Sequence, residues 1–299
     1  MAQIRRLTLN LHGMHALFDN DVRGLIDTAV RADDLGIDCV SLPDHVAMGT
    51  RVDRYPYGVF PLPEDWPWFE PLTVLAAIAA ATSRVSLTTS VLIAPLRPAA
   101  LLAKTCATLD RISHGRFELG VGTGWQREEY EAVGVPFEDR GQRLIDALRT
   151  CRALWTGERC SVETPTVTFA EILSQPCPTR EIPLWLGMAP SARARAWMAE
   201  LGAGWVPMAV KPDALAPDIA AIRDAYARGG RDANTLRVRA GLPMRVGADR
   251  RPDLAATLDG LDDAGAVGVT DVEIFVSAFA RSAADIDLVL REVAARRKG

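Results

Sequence analysis

The sequence predicts an α/β chain folded over residues 1–299 as one (β/α)8 TIM barrel, with extended loops after strand 2 and before strand 5. Two observations predict it. Short β-branched runs alternate strictly with longer amphipathic segments, eight of each, which is the barrel number. No composition shift or Pro/Gly/Ser-rich linker divides the chain. A length of 299 residues admits two domains or one large barrel, and the alternation favours the barrel over a doubly wound sheet with a second domain.

The predicted strands are Arg6–Leu11, Cys39–Pro43, Val85–Leu92, Phe117–Gly122, Pro183–Gly187, Gly204–Pro207, Arg237–Leu242 and Thr270–Ser277. The predicted helices between them are Val22–Leu35, Pro71–Thr82, Pro98–Ile112, Arg140–Leu154, Ser191–Leu201, Asp213–Ala227, Arg251–Ala264 and Ser282–Ala295. Their ends carry recognisable signals. Gly36 suits the residue after a helix, Pro71 and Pro98 suit first turns, and Ser191 and Ser282 suit N-caps. Two connections exceed ordinary barrel loops, residues 46–70 and 156–181. The first follows a strand's C-terminal end, the face where barrel enzymes place their chemistry, and it is rich in aromatics. Trp66 and Trp68 are therefore expected to form a lid contacting substrate, beside His12 from the first strand's exit; the same aromatics also suit simple packing of the loop onto the barrel.

Composition narrows the partners. With 34 basic and 38 acidic residues, a net charge of −4 gives no electrostatic reason to bind nucleic acid or an anionic membrane, so a small molecule is expected. Apolar stretches such as Val74–Ala81 fall far short of a membrane span, and no signal-like run opens the chain; a cytoplasmic protein is the expectation. Five scattered cysteines without a C-x-x-C pair suggest neither a disulfide framework nor a metal site.

Three strand exits carry candidate chemistry. Asp44-His45 follows the second strand, where a carboxylate can orient an imidazole for proton transfer, although such pairs also occur as loop caps. Gly120-Val121-Gly122-Thr123-Gly124-Trp125 ends the fourth strand; without a third fingerprint glycine it is a weak dinucleotide motif. It suits either a tight strand exit or close backbone approach to a flat ligand. Gly187-Met188-Ala189-Pro190-Ser191 leads from the fifth strand into a helix, and its amides suit either a phosphate or an ordinary capped turn.

Read together, Asp44-His45-Val46, Glu70 to Ala76, Thr82-Ser83-Arg84-Val85, Arg97-Pro98-Ala99 through Leu109 to Ser113, and Gly115 to Trp125 form an ordered series that continues through Gly134 to Gly141 and Pro183 to Gly187. The chain resembles the luciferase-like monooxygenase superfamily, particularly its coenzyme F420-dependent branch. That resemblance implies a barrel holding a flavin or deazaflavin at its strand ends. It implies Asp44 and His45 near the ring, and Thr123, Gly124 and Trp125 lining it. It further implies Ser90-Val91 as a bulge behind the ring, often with a non-proline cis peptide, and Gly187, Met188, Ala189, Pro190 and Ser191 as the phosphate turn, with Gly122 beside the ring. Residues Gly187-Met188 and His114-Gly115 depart from the Gly-Gly pairs common in the family. A homodimer is implied by resemblance alone.

Three functions follow as expectations. The first is hydride transfer between F420 and a small organic substrate, with His45 as proton donor or acceptor. The second is an FMN-dependent monooxygenase, and the third a non-catalytic flavin-binding barrel. A deazaflavin carries carbon where a flavin carries N5, which favours hydride transfer over oxygen activation. Arg51, Arg54 and Arg127 are candidates to attract a polyanionic F420 tail, or are solvated loop charges.

Overall fold

The computed structural model describes residues 4–63, 65–208 and 211–298. Eight parallel strands form the barrel wall: β1 Arg6–Asn10, β2 Cys39–Leu42, β3 Ser86–Thr89, β4 Phe117–Gly122, β5 Leu184–Gly187, β6 Gly204–Trp205, β7 Arg239–Ala240 and β8 Asp271–Phe275. Their order in the sheet is β7-β8-β1-β2-β3-β4-β5-β6. A parallel bridge between Trp205 and Val238 brings β6 to β7 and closes the ring. Each strand falls within its expected run, with both faces buried, one in the lumen and one beneath a helix; β6 and β7 keep only two residues of theirs, and β8 gives way at Val276 to a helical turn. Leu9, Val40, Leu87, Leu119 and Val272 are fully enclosed.

The outer layer consists of α1 Arg23–Leu35, α2 Pro71–Ala81, α3 Ala99–Ile112, α4 Arg127–Ala132, α5 Arg140–Trp155, α6 Ala192–Leu201, α7 Pro212–Arg228, α8 Leu254–Leu258, α9 Leu261–Ala266, α10 Val276–Phe279 and α11 Ala283–Lys298. Expected caps are present. The Ser191 side chain accepts from the Ala194 amide at 3.2 Å. Ser282 and Asp285 bond each other's amides reciprocally ahead of α11.

Several expected elements differ. The helix expected over Arg251–Ala264 is two pieces, α8 and α9. Pro252 is drawn into an antiparallel bridge with Val246, and Asp253 caps the Ala256 amide at 3.0 Å, so helix starts only at Leu254. The strand expected over Val85–Leu92 stops at Thr89, turns through a cis Ser90–Val91 peptide, and resumes as Leu92–Ile93 against β4. Neither α4 nor α10 was expected, and both are a single turn or little more. The 156–181 connection carries an antiparallel hairpin, Cys160–Glu163 with Thr168–Ile172, and the 46–70 connection carries one 3-10 turn, Val52–Arg54.

The lower lumen holds charge. Arg6 and Arg237 lie against Glu118 and Asp271, and the Trp185 indole donates to Glu118 at 2.8 Å. Burial alone would raise the Glu118 carboxyl, but the adjacent arginines hold it below the usual carboxylate range. Among the described residues no helix is long and apolar enough to cross a membrane, and no cluster of three metal-ligating side chains occurs.

Candidate active site

The exits of β1, β2 and β3 converge through one buried carboxylate. Glu273 of β8 accepts from Asn10 Nδ2 (3.2 Å), Ser41 Oγ (2.5 Å) and Ser90 Oγ (2.9 Å). Asn10 Oδ1 in turn accepts the His12 amide at 2.9 Å. Ser90, on the bulge, is thereby tied to the same anchor as the strand ends that lead to His12 and His45. The neighbouring Val91 side chain fills a slot bordered by Gly122 and Gly187. A Cβ on either glycine would lie 2.8 Å from a Val91 methyl. The space these glycines leave is thus taken by the Val91 side chain at the exits of β4 and β5.

His45 stands at the end of β2, and its partner is not the expected one. Asp44 is buried with both oxygens committed: Arg97 grips it at 2.6 and 3.1 Å, and the Ile93 amide donates at 2.9 Å. Asp44 therefore anchors the β2 loop to the segment after β3 and does not orient the imidazole. That task falls to Glu129 of α4, whose Oε2 lies 2.9 Å from His45 Nδ1. Glu129 is fully enclosed, and its Oε1 accepts the Val46 amide at 2.6 Å. With backbone N–H groups on one oxygen, Glu129 serves as an acceptor and takes the Nδ1 hydrogen with the other. His45 Nε2 is left as the nitrogen able to take or give a proton.

Aromatic rings surround this imidazole. Trp68 meets His45 edge-on at 4.6 Å and stacks on His12 at 4.9 Å, while Trp66 meets His15 at 4.9 Å. Trp125 lies 6.1 Å from His45 and also meets Tyr55 and Phe60 of the 46–70 segment, at 5.2 and 5.5 Å. Gln126 fastens that segment through two bonds with the Gly49 backbone, at 2.8 and 3.0 Å. The Tyr130 hydroxyl donates to the Thr123 carbonyl, fixing the turn that Gly124 completes.

The β5 exit offers less than its sequence suggested. Pro190 has no N–H and the Ser191 amide turns inward to Ala189 O at 2.9 Å, so neither offers a free backbone N–H to an anion. Met188 and Ala189 carry the remaining amides of the turn. Arg51, Arg54 and Arg127 each lie beside a carboxylate, Asp53 at 2.8 Å, Glu128 at 3.7 Å and Glu138 at 2.6 Å respectively.

Burial pushes the His12 imidazole down to about 4, with His15 and His45 adding to the effect. An unfolded histidine titrates near 6.5, so between pH 6.5 and 4 the unfolded chain binds the extra proton. This contribution to stability is complete above that window and lost as pH falls through it, about 2 kcal/mol by pH 5. Urea unfolding at pH 7 and pH 5 should show a smaller acid penalty in His12→Phe than in the parent chain. An identical penalty would contradict this assignment.

Comparison with known proteins establishes the family. The model of the luciferase-like monooxygenase family matches residues 6–283. The chain belongs to that family. It is 32% identical over 269 residues to an uncharacterized protein of Mycobacterium tuberculosis, covering 88% of this chain and 90% of the relative. It is 28% identical over 240 residues to an F420-dependent glucose-6-phosphate dehydrogenase of Nocardia farcinica, covering 78% and 67%. The structure of a coenzyme F420-dependent tetrahydromethanopterin reductase from Methanopyrus kandleri shares the fold, with a TM-score of 0.75 at 15% identity over 97% of both chains. As a luciferase-like family member the chain is an enzyme of the F420- or flavin-dependent oxidoreductase class.

Proposed function

We propose that this luciferase-like enzyme is an F420-dependent oxidoreductase exchanging a hydride between the deazaflavin and a small organic substrate. The observation that carries the reading is the His45–Glu129 pair, an imidazole held by a buried carboxylate at the strand-exit end of the barrel, the end where Val91 packs between Gly122 and Gly187. The F420-dependent Nocardia relative supports the choice of deazaflavin over FMN.

The residues fit such a group. Val91, backed by Gly122 and Gly187, would support the ring from behind, with Ser90, Thr123, Gly124 and Trp125 around it. The Met188 and Ala189 amides, with the start of α6, would meet the phosphate. When bound, the deazaflavin accepts or returns a hydride and leaves one proton to be balanced. His45 holds that proton on Nε2, because Glu129 fixes Nδ1 and stabilises the charged ring once it forms. Trp66, Trp68 and His12 exclude water from the substrate side, and the 46–70 segment acts as the lid.

Titration of the purified chain with F420 and with FMN, in both redox states, tests this. Selective binding of F420 is expected; tight and selective binding of FMN would move the enzyme to the monooxygenase reading.

A further inference from the structure

A basic recess lies at the end of the barrel opposite the mouth. Arg5 ahead of β1, Asn234 and Leu236 ahead of β7, and Gly268 and Thr270 ahead of β8 line it, with Arg223 of α7 on its outer side. All stand at strand starts or on the helix beside them, whereas His45, Ser90 and Thr123 follow their strands. The cavity measures about 370 Å³, within the range of about 300–1,000 Å³ that small-molecule sites occupy.

Its charge is of one sign. Two guanidinium groups line it, and no aspartate or glutamate does among the described residues. The arginines next in sequence to the lining residues, Arg6 and Arg237, turn the other way and hold Asp271 at 3.9 and 2.5 Å. Alternation along a strand sends Arg6 into the lumen and leaves Arg5 outside. Asp232 is committed as well, its Oδ1 accepting the Asn234 amide at 2.9 Å. The end of α9 adds no bare acceptor there from Ala264 or Gly265, whose carbonyls take the Val269 and Gly268 amides at 3.1 and 3.0 Å.

Arg223 is set for a ligand. Its Nε is buried without a hydrogen-bond partner, so the guanidinium has lost part of its hydration and gained no acceptor at that nitrogen. The group rests over Gly268, where a Cβ would stand 3.0 Å from Nη2 and 3.3 Å from Nη1. The missing side chain at Gly268, which has φ 102°, is what admits the guanidinium beside the start of β8. A desolvated cation without a counter-ion favours an anion at the open part of its fork.

We propose that this recess binds a phosphate group, free or at the end of a small phosphorylated molecule, between Arg5 and Arg223 with the Asn234 side-chain amide as a further donor. Two guanidinium groups match the two charges and the several acceptor oxygens of a phosphate. The site is separate from the mouth, so its occupation and that of the cofactor site do not exclude each other. It stands independently of the oxidoreductase reading above.

Calorimetry on the full chain at neutral pH tests this with inorganic phosphate, ribose 5-phosphate and ribose. Both phosphate probes should bind saturably at a site that Arg5 and Arg223 control, and ribose should give no saturable heat. Equal affinity for the two would identify free phosphate as the ligand, and tighter ribose 5-phosphate the esterified form. Arg5→Gln and Arg223→Gln should each weaken binding about 10–100-fold, the worth of a hydrogen bond to a charged group. Arg281→Gln, at an exposed arginine after β8, should leave it unchanged. Thermal unfolding without ligand checks that the variants fold, and exposed Arg5 keeps the test open if Arg223→Gln does not. Saturating F420 should leave phosphate affinity as it was. Absence of saturable binding by both phosphate probes would overturn the proposal. So would unchanged affinity in Arg5→Gln and Arg223→Gln, or displacement of all bound phosphate by F420, which would place the anion at the mouth. If F420 itself does not bind, the cofactor reading fails and the arginine variants alone decide this site.

Discussion

His45→Ala is expected to slow the chemical step about 10²–10⁴-fold, the range typical of a lost general acid or base, while F420 affinity changes far less. Single-turnover reduction of bound F420, followed by its absorbance, reads the step directly. His45→Gln keeps a hydrogen-bonding side chain and removes proton transfer, so it should be nearly as slow; full activity would reduce His45 to a positioning role. Glu129→Gln provides a second reading. With its oxygen kept on the Val46 amide, the new NH2 group would face His45 Nδ1, which must then accept, leaving the hydrogen on Nε2. The pH dependence of the step should therefore move, an effect that loss of packing alone would not produce.

Gly120→Ala is expected to be among the most damaging single-methyl additions. A Cβ at this position would stand 2.0 Å from the Thr89 carbonyl oxygen and 3.1 Å from Arg239 Nη2, both held within the barrel wall. Backbone cannot step aside as a surface side chain can. A loss of about 3 kcal/mol or more, at the upper end of what overpacking costs, should appear in urea unfolding. Gly141→Ala in α5 is the control. Its Cβ would have a nearest neighbour at 3.9 Å, Trp197, and helix propensity predicts a gain of up to about 1 kcal/mol. Equal stability of the two variants would show that the Thr89 contact yields.

The barrel was legible because it rests on repeated local signals: β-branched runs, helical period, and caps such as Ser191 and Ser282. His114, which stands where the family commonly has the first glycine of a Gly-Gly pair, adopts the left-handed conformation with φ 52°. The bulge at Ser90-Val91 was legible from the family resemblance, and the gathering of His12, Trp66 and Trp68 from the position and aromatic content of their loop. What escaped depends on distance in sequence. Glu129 lies 84 residues from His45 on a helix of six residues, too short to show a period, and the adjacent Asp44 offered a plausible partner. Only the fold reveals that Arg97 has already taken Asp44. A carboxylate in the first turn after the Gly122-Thr123-Gly124 exit was the one available pointer to Glu129. Glu273 had none, since its three donors come from two other strands and the bulge after a third. At the β5 exit, a Gly-x-x-Pro-Ser string does not reveal that the Ser191 amide turns back on Ala189.

The Glu273 anchor also says when in folding the enzyme becomes competent. Its bond to Asn10 spans 263 residues, and its strand, β8, is the last of the eight in the chain. A growing chain can pair β1 with β2 and β2 with β3 long before residue 273 exists, yet the exits carrying His12, His45 and Ser90 have no common tether until β8 docks. Such a late, long-range contact belongs to the slow part of a folding reaction. Ligand recognition and ring closure are consequently one cooperative event: a partly closed barrel offers little to bind, and any molecule held at this mouth draws the population toward the closed chain by mass action.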